Sequence, residues 1–97
     1  MIVQRVTTPV KVGCMEKIVK LCKAEMEKLN NPGRWRMYTP NIGPGDILAW
    51  ELEFENFAEY EKFWVEWWSN PETPEFNAKW YELVEAGGNS EVWNLEK

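Results

Sequence analysis

The stretch ILAWELEFE, residues 47–55, constrains the fold more than any other part of the chain. Successive side chains of a strand point to opposite faces, so Leu48, Trp50, Leu52 and Phe54 share one side while Ile47, Ala49, Glu51, Glu53 and Glu55 share the other. Such a strand belongs in an antiparallel sheet with one face packed and one face polar. The preceding RWRMYT divides in the same way, Trp35 and Met37 against Arg34, Arg36 and Tyr38, and the turn-rich PNIGPGD between the two runs closes a hairpin. A register centred near Ile42 and Gly43 pairs even positions with odd ones, 36 with 49 or 51. Arg34 and Arg36 then share a face with Glu51 and Glu53, and the polar face is expected to be matched in charge.

The other elements follow from composition and period. Ile2 to Val10 is rich in β-branched residues and punctuated by Pro9, a strand ending in a turn. From Cys14 to Leu29, Met15, Ile18, Val19, Cys22, Met26 and Leu29 recur at helical spacing with lysines and Glu27 between them, until NNPG stops the helix. Asn56 with Glu59 three residues on starts a second helix. Phe57, Tyr60, Phe63, Trp64, Trp67 and Trp68 occupy about 140° of its arc at 100° per residue. Their expected role is packing onto Trp35, Met37, Trp50 and Phe54. SNPETPEF breaks this helix near residues 70–74. Thr73 as cap and Pro74 in the first turn restart it, AGGN ends it through a glycine cap, and SEVWNL is a final strand. The order β-α-β-β-α-β predicts a single α+β domain over residues 1–97, a ferredoxin-like fold with both helices on one face of a four-stranded antiparallel sheet.

Ninety-seven residues bury a core but leave a domain near the marginal end of stability, where self-association is a common supplement. No apolar run approaches the ~20 residues of a membrane span. MIVQRVTTPV lacks the pattern of a secretory signal, and Cys14 and Cys22 are too far apart on one helix, about 12 Å at 1.5 Å per residue, for a disulfide. The expectation is a cytoplasmic protein. Net charge is −5, divided into 8 basic and 3 acidic groups over residues 1–45 and 3 basic and 13 acidic over residues 46–97. That balance argues against phosphate-directed nucleic-acid binding and anionic membranes. It predicts attraction between lysine-rich helix one and glutamate-rich helix two.

The run from Ile47 to Leu95 resembles the second half of dimeric α/β barrel proteins, the NIPSNAP-like group in particular. The marks are the strand and acidic start at Glu51 to Asn56, the aromatic helix Phe57 to Trp68, the proline-marked break Asn70 to Pro74, and the final Gly87 to Trp93. The resemblance implies a homodimer in which the open faces of two sheets meet to form a barrel with helices outside. Covering an open sheet face with a second copy is also the economical solution on physical grounds.

The chain contains no histidine, which removes the commonest general base and the commonest metal and haem ligand. Two cysteines without a ligand cluster make no zinc site, and GPG opens no helix that would cradle phosphate. Neither metal nor cofactor is expected. The remaining candidates for acid–base work are Glu51, Glu53 and Tyr38, with Arg34, Arg36 and Tyr38 orienting an anionic or enol-like molecule; mutual charge pairing in a polar interior is the competing reading. Trp80 and Tyr81, just past the break, are candidates for the rim of a ligand pocket. The expected function is a homodimer holding a small organic molecule between sheet and helices. The alternatives are a cofactor-independent monooxygenase or isomerase with its site inside the barrel, and a protein-interaction module.

Overall fold

The computed structural model describes residues 1–29 and 34–96. Its elements run β1 (Ile2–Pro9), α1 (Met15–Glu27), β2 (Trp35–Tyr38), β3 (Ile47–Phe54), α2 (Phe57–Ser69), α3 (Thr73–Leu83) and β4 (Asn89–Asn94). The strands form one antiparallel sheet in the order β2-β3-β1-β4, the ferredoxin-like topology, with the second helix divided into α2 and α3. The NNPG stop at residues 30–33 lies outside the described residues.

Register assigns each strand residue to a layer. Trp35 pairs with Leu52, Arg36 with Glu51 and Met37 with Trp50, while β1 meets β3 from Ile2 opposite Phe54 to Pro9 opposite Ile47. Ile2, Gln4, Val6 and Thr8 therefore lie beneath the helices with Leu48, Trp50, Leu52 and Phe54. Val3, Arg5 and Thr7 lie with Ala49, Glu51 and Glu53 on the open face. The densest packing surrounds Ile18 and Leu48, both fully buried, with Val10 and Cys22, and Trp80 and Leu83 of α3 close its side.

Four local features differ from expectation. Helix α1 is shorter than residues 14–29 at both ends. The Thr73 hydroxyl does not cap α3; it is buried and donates to the Trp67 carbonyl near the end of α2, while the Asn70 carboxamide oxygen accepts the Glu72 N–H at 2.8 Å. The break is thus an Asx turn clasped by a threonine, and Pro74 sits in the first turn as expected. Glycine does not cap α3 either. Val84 leaves the helix in extended conformation and bridges Val10, since Lys11 N–H reaches the Leu83 carbonyl and Glu85 N–H reaches that of Pro9. The glycines serve the approach to β4 instead: Gly87 has φ +107°, and a side chain on Gly88 would press on the Thr7 carbonyl.

Finally, α1 packs chiefly on α3, the second piece of the broken helix, and faces α2 across a groove. Turning at the break brings Trp80 and Leu83 onto the Ile18 core, and apolar burial there outweighs attraction between solvated surface charges. Among the described residues one ion pair, Lys28 Nζ to Glu72 at 3.6 Å, joins α1 to the turn between α2 and α3. The basic and acidic parts of the chain meet across strands, where Arg5, Arg34 and Arg36 engage Glu51, Glu53 and Glu55.

Candidate functional site

Helix α2 is fixed at its start by Asn56, whose side chain accepts the Glu59 N–H at 3.0 Å. That start presents the aromatic arc to the sheet. Ring follows ring from Phe57 through Tyr60, Phe54, Phe63, Trp64, Trp67 and Phe76 to Trp80, with centroids 4.9 to 6.2 Å apart and Trp50 joined to Trp64 at 6.3 Å. The arc does not close into a solid core, and no residue of α2 is fully buried. With α3 taking the place beside α1, the aromatic face of α2 becomes a wall.

Behind that wall is a cavity of about 250 Å³. Trp35, Trp50, Trp64, Trp67, Trp68 and Trp80 line it, six of the seven tryptophans in the chain. Its volume is just below the ~300–1,000 Å³ usual for small-molecule sites. The polar side chains at its wall are few, Thr8 and Asn77 among them, and no lysine or arginine lines it among the described residues. Trp64 Nε1 donates to Gln4 Oε1 at 2.8 Å, and Gln4 Nε2 donates to Ser90 Oγ at 3.2 Å. This chain from α2 through β1 to β4 holds one indole at a set angle to the sheet. Cys22 also lines the cavity as a neutral thiol: burial first, and the nearby Glu25 charge second, push its pKa from about 9 up to about 12. A wider groove bounded by α1, α2 and β3 carries charges of both signs, among them Glu25, Lys28, Lys62 and Glu66.

The open face of the sheet carries a different arrangement. Glu51 Oε1 accepts from Arg36 Nε at 3.2 Å and from the Tyr38 hydroxyl at 3.0 Å, and its Oε2 accepts from Arg5 Nη1 at 3.3 Å. Arg36 Nη1 reaches Glu53 at 2.8 Å, and Arg34 pairs with Glu55. The hydrogen bond to Glu53, followed by those to Tyr38 and Glu51, holds the Arg36 guanidinium above its ordinary pKa against some desolvation. Register continues the row across all four strands as Arg36, Glu51, Arg5 and Glu91, with signs alternating.

The structure thus brings Arg34, Arg36, Tyr38, Glu51 and Glu53 to one surface, with the cavity on the opposite side of the sheet. Glu51 borders the cavity while its carboxylate is held on the open face. Trp80 lines the cavity; Tyr81, the next residue, is 66% exposed and is not part of the lining. Gln4, Thr8 and Asn77 were not singled out by the sequence, and Cys22 was read there as a packing residue of the first helix. The one available signal was Gln4, a polar residue in the covered row between Ile2 and Val6, where a buried amide needs a partner.

No family model matches the chain, and no curated protein matches it in sequence. Its likenesses are to solved structures. Protein Atu4242 from Agrobacterium tumefaciens, elsewhere described as a NIPSNAP family protein with unknown function, is 17% identical over 100% of this chain and 95% of its own, with a TM-score of 0.85. A second NIPSNAP family protein of that bacterium is 16% identical over 96% of this chain and 90% of its own, TM-score 0.82. An antibiotic biosynthesis monooxygenase is 9% identical over 100% of both chains, TM-score 0.73. No helix among the described residues is long and apolar enough to cross a membrane. The chain has the ferredoxin-like fold of these NIPSNAP family proteins and of the antibiotic biosynthesis monooxygenase.

Proposed function

We propose that this protein is a cytoplasmic homodimer that binds a small organic molecule in the tryptophan-lined cavity between its sheet and its helices. The observation that carries this reading is the cavity itself: six tryptophans stand around about 250 Å³ of half-open space that the core does not fill, which supports a small-molecule site. Covering the open sheet face with a second copy supports the dimer, because that face sets Val3 and Ala49 among alternating charges and leaves Tyr38 and Trp93 substantially exposed. In such a barrel Arg34, Arg36, Glu51, Glu53 and Tyr38 face the interior and hold its polar seam. The two free thiols agree with a reducing compartment.

Titration with benzyl alcohol and with choline, two small probes of different charge, tests the ligand reading. At least one is expected to change the tryptophan emission saturably, and to do so with a midpoint weakened at least tenfold in Trp67→Leu. Absence of a saturable change with both probes sinks it.

The fold shared with an antibiotic biosynthesis monooxygenase favours a second reading, cofactor-independent oxygenation or isomerisation with Glu51, Glu53 and Tyr38 as acid–base groups inside the barrel. It expects oxygen consumption or isomer interconversion that Glu51→Gln abolishes while leaving probe binding in the cavity intact.

A further inference from the structure

We propose that the ligand class is an N-methylated organic cation, a quaternary ammonium group held against tryptophan faces, which rests on the reading of the cavity as a ligand site. The shape of the wall is the first reason. Phe63 and Trp64 stand at 90°, Trp64 and Trp67 at 83°, and Trp67 and Phe76 at 82°, while Trp50 and Trp64 stand at 41° and Phe76 and Trp80 at 26°. A flat aromatic guest is best held in a slot between parallel rings, whereas rings set at several angles to one another suit a compact, rounded group that meets more than one of them. The negative face of an aromatic ring attracts a cation within ~6 Å of its centroid, most strongly for tryptophan and when water is excluded.

Charge is the second reason. No lysine or arginine among the described residues lines the cavity, so nothing there pairs an anionic ligand. The chain carries a net −5, and Glu25, on α1 three residues from the lining residue Cys22, is buried where it borders the neighbouring groove. After burial, its charge is the second cause that raises the Cys22 thiol, although Lys28 pairs with Glu25 at 3.6 Å. The scarcity of polar lining is the third reason. A primary ammonium brings three N–H donors that each require an acceptor, and the side chains of Thr8 and Asn77 are too few to meet them once the ion leaves water. A fully methylated nitrogen has no donor to satisfy and keeps its charge at every pH.

The test is calorimetric titration of the full chain with choline, with its uncharged carbon isostere 3,3-dimethyl-1-butanol, and with benzyl alcohol as a flat neutral probe. Choline is expected to bind at least tenfold more tightly than the isostere. Trp67→Leu should lose that preference and Trp67→Phe, which keeps a π face, should recover part of it. Trp93→Phe, outside the cavity, should change nothing. Circular dichroism of each variant separates lost binding from lost folding, and the Phe variants carry the comparison if Trp67→Leu does not fold. Equal binding of choline and its isostere, or binding of benzyl alcohol alone, overturns the cationic ligand and leaves the cavity as a binding site. If none of the three binds, the cationic ligand and the ligand site fall together.

Discussion

Cys22 shows how one side chain reports its surroundings. Its thiol is 5% exposed and its folded pKa is raised from about 9 to about 12, chiefly by burial. The unfolded thiol ionises first, so its contribution to stability is whole below about pH 9 and is lost as pH rises toward 12, at up to ~1.4 kcal/mol per pH unit in that window. Urea midpoints between pH 8 and pH 10.5 should fall more steeply for the native chain than for Cys22→Ala; parallel slopes would show that the thiol does not report this burial. Glu51 is the contrasting case. Its pairing with Arg36 was legible because alternation and hairpin register are local properties of the chain, whereas its bond to Arg5, 46 residues away on β1, was not. The Gln4 bond to Trp64 was not, because it joins residues 60 positions apart through the packing of a helix on a strand.

At the scale of elements, strand β3, both halves of the broken helix and the Asn56 cap were all readable, since each rests on period or on turn chemistry within a few residues. The partner of each element was less accessible. Thr73 and Pro74 have the local appearance of a helix start, yet the threonine hydroxyl serves the preceding helix by meeting the Trp67 carbonyl. Thr73→Val keeps the shape and removes that donor, leaving the carbonyl with the Asn70 N–H at 3.2 Å as its remaining partner beside the break. It should cost about 1 kcal/mol in chemical denaturation with little change in helix content. A stability equal to that of the native chain would mean that Asn70 alone sets the turn. Helix α1 beside α3 in place of α2 is a similar case, decided by which helix brings apolar side chains to Ile18 and Leu48.

Over the whole molecule, the two sheet faces have separate duties. The covered face holds the cavity, and the open face holds the alternating row from Arg36 to Glu91 with Trp93 exposed beside Val3. Should a second copy cover the open face, Trp93→Asp places an unpaired charge in the interface. The mass by light scattering should then fall from two chains to one while far-ultraviolet circular dichroism is unchanged. A native chain that scatters as a monomer at high micromolar concentration would remove the barrel.

The sequence by itself determined the strands, the helices, the Asn56 cap, the break near residues 70–74, the fold class and the charge matching of the β2–β3 hairpin on the open face. All of these arise from interactions a few residues apart or from the two-residue period of a hairpin. Only the tertiary structure decided that the aromatic arc of α2 encloses space instead of filling a core, and that Trp80 faces the space while Tyr81 does not. The reason is physical: whether rings meet or leave a gap depends on how far apart helix and sheet are held. Here α3 packs against α1 and the Ile18 core, a contact among distant segments that no local pattern encodes.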